Sequence, residues 1–152
     1  MDDGAREWEI LLVEDNPADI RLTQEAFKEL SIRHRLQVAE DGGAALSYLE
    51  GLTEQPAGRL PDLILLDINL PIMNGLEVLA VIKSNDRTRS IPVIIMSSSS
   101  AESDIATAYR LNANCYTRKP LEIDGFFAVM ESIRRFWLET ALLPGQASTR
   151  VH

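Results

Sequence analysis

The sequence contains one cysteine, Cys115, and two histidines, and no apolar stretch approaches the roughly twenty residues that a membrane-spanning helix requires. A lone thiol cannot form an internal disulfide, which fits a reducing compartment. The first residues, Met1 to Glu9, are acidic and lack the apolar heart of a signal peptide, so the expected location is the cytoplasm. His34 has no companion ligand and His152 stands in the tail, and neither reads as catalytic. Positive charge is also short: 15 basic against 23 acidic side chains give a formal net charge of -8, and the short Arg/Lys clusters form no patch able to reverse it. Nucleic acid and membrane surfaces are therefore not expected partners. No glycine-rich loop follows the first apolar run, which excludes a phosphate cradle of the nucleotide-binding kind. Internal repeats, low-complexity tracts and composition breaks are absent as well, so the 152 residues predict one domain.

What is present is an alternation. Short runs of Ile, Leu and Val at 9–14, 61–67 and 91–97 lack polar alternation and read as strands buried on both faces, with weaker strands near 34–39 and 114–118. Helices are predicted between them. Asn16 is a good N-cap with Pro17 at the first helical position, and Ile20, Thr23, Phe27 and Leu30 keep helical spacing. Asp41 caps a second helix carrying Ala45, Leu46 and Leu49, and Asn74 a third carrying Leu76, Leu79 and Ile82. Ser99 with Glu102 spells a capping box for a fourth, and a fifth runs from about Glu122 to Leu142. Strict strand-helix alternation predicts an α/β fold: a doubly wound, five-stranded parallel sheet in the flavodoxin-like order 2-1-3-4-5 with helices on both faces.

The strands end in chemistry. Glu14-Asp15 closes the first run, Asp67 the third, Ser97 the fourth, and Lys119-Pro120 the fifth. In this sheet order the first and third strands are neighbours, about 4.8 Å apart, so three carboxylates come within reach of one cation. Crowded carboxylates raise one another's pKa and cost folding energy unless something neutralises them. Magnesium, or manganese, suits such hard oxygen ligands, with Glu14, Asp15 and Asp67 as its carboxylates and the Asn69 backbone carbonyl completing the set. Lys119 and Ser97 would then face a phosphoryl group, one with charge and the other with a hydroxyl. Taken singly, each feature has a blander reading: an acidic pair beyond a strand is often a helix cap or a solvated turn, and Lys119 an ordinary surface lysine.

Together the residues carry a resemblance. LLVEDN (Leu11–Asn16), LLDINLPIMNG (Leu65–Gly75), IIMSSS (Ile94–Ser99) and YTRKP (Tyr116–Pro120) resemble the receiver domain of two-component response regulators, over nearly the whole chain. The resemblance implies a receiver over residues 9–143, with an extended C-terminal helix and flexible termini at 1–8 and 144–152. It implies that Asp67 accepts a phosphoryl group from a sensor histidine kinase, that Asp15 and Asp67 bind magnesium directly, and that Glu14 does so through a water. Ser97 and Tyr116 look like the switch pair and Lys119 the phosphate-sensing cation, with a cis bond to Pro120. Tyr116 also has a reading as a static core aromatic. Such a protein is a signalling phosphoacceptor and not an enzyme with its own substrate. Phe136-Trp137-Leu138-Glu139-Thr140, Asn114-Cys115-Tyr116 and the long loop before Asp62 look more narrowly like single-domain regulators that serve bacterial phytochromes.

Some residues depart from the commoner receiver pattern. Glu14 replaces the usual first Asp, Ser97 a frequent Thr, and Asn112 a Gly after the fourth helix, where Asn still tolerates the left-handed conformation. Two readings of the last helix remain. Phe126, Met130, Ile133, Trp137 and Ala141 make one apolar stripe, and Val129, Phe136 and Leu143 a second, with Leu138 and Leu142 adding to the exposed area. Either the helix sinks deeply into its own domain, or it builds a homodimer through Phe136 and Trp137, which is the expectation. Too few residues follow for an effector domain, so output is expected through dimerisation or a changed surface on the fourth helix, fifth strand and fifth helix. Alternative functions are a phosphotransfer intermediate or phosphate sink in a relay, and a haloacid-dehalogenase-like phosphatase. The last wants a second acid where Asn69 stands.

Overall fold

A computed structural model describes residues 7–56 and 58–144. Five strands, β1 (Trp8–Val13), β2 (His34–Ala39), β3 (Leu63–Leu66), β4 (Val93–Ser97) and β5 (Cys115–Arg118), form one parallel sheet in the order β2-β1-β3-β4-β5. The helices α1 (Pro17–Glu29), α2 (Gly42–Thr53), α3 (Gly75–Ser84), α4 (Glu102–Arg110) and α5 (Ile123–Ile133) alternate with the strands. This is the doubly wound, flavodoxin-like arrangement that the sequence predicts. Among the described residues, no helix is long and apolar enough to cross a membrane.

The runs without polar alternation owe that pattern to two separate cores. Leu11, Val13, Ile64, Leu66, Val93 and Ile95 pack with Ala45, Leu49, Val78, Leu79, Ile82 and Ala108 of α2, α3 and α4. Their sequence neighbours Ile10, Leu12, Leu63, Leu65, Ile94 and Met96 point the other way, onto Ala26 and Phe27 of α1 and Phe126, Met130 and Ile133 of α5. The two weaker strands are the sheet's edges. β2 and β5 each pair on one side only, so Arg35, Gln37 and Arg118 are accommodated there.

Local signals set most helix ends. The Asn16 side chain accepts from the N–H groups of Ala18 and Asp19, Asp41 from Ala44, and Asn74 joins Glu77 in a reciprocal capping box. Asn112 follows α4 with φ 75°, the left-handed conformation expected for it. His34 is structural: its ring stands edge-on to Phe27 at 5.0 Å. β1 begins at Trp8, one residue earlier than expected, because Trp8 donates its N–H to the Arg33 carbonyl and packs against the α1–α5 core. Of the expected flexible termini, 1–8 and 144–152, residues 1–6 and 145–152 lie outside the described residues, and Trp8 belongs to β1.

Three expectations are corrected. The predicted Ser99–Glu102 capping box does not form: α4 starts after Ala101 with no side-chain cap, and the Ser99 hydroxyl donates instead to Asp104 at 2.7 Å. The described backbone has no cis peptide, so the Lys119–Pro120 bond is trans, the lower-energy form by about 0.5–1 kcal/mol for a prolyl amide. The last helix is not α throughout. From Arg134 to Thr140 it widens into a π-helix, whose bonds skip five residues. That extra residue per turn carries Leu138, five after Ile133, into the core, where α-periodicity would have placed Trp137. Leu138 and Leu143 are both buried, contrary to expectation, while Phe136 stays half exposed. Arg134, bound to Glu131 on one side and Glu139 on the other, ties the widened turn to the regular helix.

Candidate functional site

Parallel register fixes where the strand-end acids lie. Val13 of β1 stands beside Leu66 of β3, so Glu14 and Asp67, the next residues, emerge side by side at the carboxyl edge of the sheet. The Asp67 N–H donates to the Val13 carbonyl at 3.1 Å, holding that alignment past the last strand residue. Glu14, Asp15 and Asp67 each present an oxygen within 4.8 Å of the others. Glu14 and Asp67 are 4% and 6% exposed, with Asp15 the most open of the three. Gly75, the first residue of α3, explains how Asp67 is backed so closely: a Cβ there would lie 2.2 Å from the Asp67 carbonyl oxygen.

Lys119 enters from β5. Its N–H donates to the Ser97 carbonyl at 2.7 Å, which carries the chain across the end of β4. The ammonium reaches Glu14 at 2.9 Å, Asp19 at 2.8 Å and Asp67 at 3.2 Å. Backbone donors hold the other carboxylate oxygens: Asn16 N–H to Glu14 and Asn69 N–H to Asp67, both at 3.1 Å. The Asn69 side chain itself is exposed. Leu12, Leu65, Met96, Phe126 and Met130 floor the cluster.

The electrostatics follow from that floor. Burial pushes the Glu14 carboxyl up to about 7, with the Lys119 hydrogen bond pulling it back and the Asp67 charge adding to the rise. Burial pulls Lys119 down, but the hydrogen bonds it donates to Asp19 and Glu14 and the charge of Asp67 outweigh it, and the ammonium is held above the ordinary lysine range. Glu14, Asp19 and Asp67 thus share one ammonium, and Asp15 adds a fourth carboxylate to the cluster. A hard, multivalent cation fits this donor set, because it supplies the charge that Lys119 alone does not.

Ser97 and Tyr116 converge on one residue. The fully buried Ser97 hydroxyl accepts from the Ser99 N–H at 3.1 Å, and the Tyr116 hydroxyl donates to the Ser99 carbonyl at 2.8 Å. The Tyr116 N–H in turn donates to the Tyr109 hydroxyl at 3.0 Å. Phe136 and Trp137 belong to no part of this cluster: they form an edge-to-face pair at 5.1 Å beyond the far end of α5. Cys115 is half-buried on β5, and burial pushes its thiol up.

Asp19 is the residue that sequence reasoning missed. It stands in the first turn of α1, where an acid has an ordinary role opposite the helix dipole. Its only signal was position: the first turn of the helix that starts just past Glu14-Asp15, close to the same edge.

The sequence profile of the response regulator receiver domain matches residues 10–131. The chain is 44% identical to the response regulator Rcp1 of Synechocystis sp. over 135 residues, covering 89% of this chain and 92% of that protein. Among solved structures it is similar to the phosphorylated cyanobacterial phytochrome response regulator RcpA, with a TM-score of 0.85 and 44% identity over 92% of this chain and all of that one (100%). It is likewise similar to the Mn(2+)-bound form of Rcp1, with a TM-score of 0.83 and 43% identity over 91% of this chain and 99% of that one.

Proposed function

The chain belongs to the response regulator receiver family, and from that premise we propose that it is a cytoplasmic phosphoacceptor, charged on Asp67 by a sensor histidine kinase. The observation that carries this reading is the Asp67 carboxylate itself. One oxygen is held by the Asn69 N–H and the other by Lys119, beside two further acids at the mouth of the sheet. Receiver domains use magnesium or manganese, and here Glu14, Asp15, Asp67 and the Asn69 carbonyl would hold the ion, which when bound neutralises charge on the incoming phosphoryl group. No second acid stands at Asn69 to protonate a leaving group, which argues against the haloacid-dehalogenase chemistry.

In the transfer, a carboxylate oxygen of Asp67 attacks the phosphorus of a phosphohistidine. The P–N bond breaks, its electron pair stays on the imidazole nitrogen, and that nitrogen is protonated from solvent. Lys119 then divides its hydrogen bonds between the acids and a phosphoryl oxygen, and the Ser97 hydroxyl turns its proton to another. Because the Ser97 and Tyr116 hydroxyls both bind Ser99, drawing in the first shifts the support of the second. That coupling would alter the face made by α4, β5 and α5 as output.

The receiver unit spans residues 9–143 in this reading. Similarity to the phytochrome regulator RcpA supports a phytochrome-type kinase as donor. The half-exposed Phe136, with Trp137 and the exposed Leu142, supports a homodimer at the C-terminal helix. The deciding experiment is transfer of labelled phosphate from a histidine kinase: the wild type takes up label in the presence of magnesium and Asp67→Asn takes up none, whereas equal labelling of the variant excludes Asp67 as acceptor.

A further inference from the structure

The Lys119 ammonium has three protons and donates to three carboxylates, Glu14, Asp19 and Asp67. Two of these partners have other duties. Glu14 and Asp67 belong with Asp15 to the oxygens that lie within 4.8 Å of one another, the donor set for the divalent ion, and Asp67 is itself the acid that gains the phosphoryl group. Asp19 stands outside that set and outside the bond that forms. Yet it makes the shortest of the three contacts, 2.8 Å against 2.9 Å to Glu14 and 3.2 Å to Asp67.

The helix does not need the Asp19 carboxylate for its own start. Asn16 already caps α1, its side chain accepting from the N–H groups of Ala18 and Asp19. Among the described residues, the Asp19 side chain has one hydrogen-bond partner, Lys119, and it is only 19% exposed. Its mount is firm on both sides. The Asn16 cap holds the Asp19 N–H, and the Asp19 carbonyl accepts at 2.9 Å from the hydroxyl of Thr23, which is buried and helps to line the floor beneath Lys119.

A lysine ammonium rides on a flexible four-carbon stem, and it stabilises a transferring phosphoryl group only when it is aimed. In the loaded site, oxygens of Glu14 and Asp67 are shared with the ion. Bond formation to phosphorus then turns Asp67 from a carboxylate into an acyl phosphate, whose remaining carboxyl oxygen is an uncharged acceptor. Of the three partners, Asp19 alone offers Lys119 the same charged oxygen before and after transfer. We infer that Asp19 is a positioning residue for phosphoryl transfer: it moors Lys119 at the crevice while the N–H now on Asp67 passes to a phosphoryl oxygen. This rests on the reading of Asp67 as phosphoacceptor.

The experiment uses radiolabelled acetyl phosphate as donor and saturating magnesium for every variant. The Asp67 oxygen attacks phosphorus, and acetate leaves with the bonding electron pair. Asp19→Asn loses the charge and keeps an acceptor oxygen, whereas Asp19→Ala loses both. The labelling rate should fall about tenfold or more in Asp19→Ala and about threefold or less in Asp19→Asn. The second readout is taken in chelator, without donor or ion: the exchange of the Lys119 ammonium protons with water, followed by nitrogen NMR on a signal assigned by its loss in Lys119→Met. Exchange should be fastest in Asp19→Ala, slowest in the wild type and intermediate in Asp19→Asn. A wild-type labelling rate in Asp19→Ala overturns the proposal, as does unchanged exchange. So do equal falls in the two variants, which would make the effect one of charge alone. If the wild type is labelled, these outcomes leave the phosphoacceptor reading standing; a wild type that takes no label removes that reading and the mooring with it.

Discussion

The Lys119 ammonium lies 2.8 Å from the Asp19 carboxylate, closer than its 3.2 Å approach to Asp67. The ammonium beside the proposed phosphoacceptor is thus anchored at least as firmly by a helix residue off the sheet. Removing either partner should have unequal effects. Asp19→Asn forfeits a charged hydrogen bond of about 1.5–3 kcal/mol but also takes one acid from an over-charged cluster, so its stability should stay within about 1 kcal/mol of wild type. Lys119→Met leaves Glu14 and Asp67 buried without an ammonium and should cost about 3 kcal/mol or more in the absence of a divalent ion. Urea unfolding in a chelator measures both.

Glu14 makes the metal-free protein sensitive to pH. Its folded-state pKa is raised from 4.5 to about 7, chiefly by burial, so between those values the native state holds a proton that the unfolded chain has released. The contribution is present below the unfolded value and is lost as pH rises through the folded one. At most about 3 kcal/mol is at stake. Wild type in chelator should therefore weaken relative to Glu14→Gln as pH goes from 5 to roughly 7.5. A difference that stays constant over that window would show that Glu14 is already ionised at its foot.

Divalent ion binding should be legible as stability. At about a hundredfold excess over its dissociation constant, an ion that binds only the folded state adds about 2.7 kcal/mol, which raises the melting temperature of a chain this size by roughly 5–10 °C. Thermal scans with magnesium and then chelator should rise and fall by that amount, and Asp15→Asn should blunt the response. Asp15 is the most open of the three acids and its loss does not unpair Lys119, so the variant reports on the ion.

The widened end of the last helix separates two side chains that sequence spacing left outside the same buried stripe: Leu138 is buried and Phe136 half exposed. Leu138→Ala should cost about 2–5 kcal/mol, as for a buried leucine, while Phe136→Glu should leave the fold within about 1 kcal/mol of wild type. Light scattering across a range of concentrations supplies the second reading: wild type dimeric, Phe136→Glu monomeric. A wild type that is monomeric throughout removes the dimer.

The sheet and the strand-end acids were legible because each rests on local information. Runs such as Leu63–Leu66 are buried on both faces, and register alone then brings Glu14 beside Asp67. Caps at Asn16, Asp41 and Asn74 were legible for the same reason, since a short side chain bonds its own following turn. Asp19 was not, because it ends no strand and an acid in the first turn of a helix already has a local role, so nothing nearby points to Lys119. The Ser99–Glu102 pattern misled because Asp104 competes for the same hydroxyl. The positive φ of 67° at Ile72 was equally hidden, because no periodicity reports a dihedral angle.

The π-turn at Arg134–Thr140 also has a practical consequence for engineering. A designer who grafts a reporter or coiled-coil cartridge onto this terminus by counting heptads from Phe126 will build it facing the wrong way, since the phase must be reset at Leu138. Length-matched fusions that ignore the offset would orient their cargo off-axis even though every join is covalently sound.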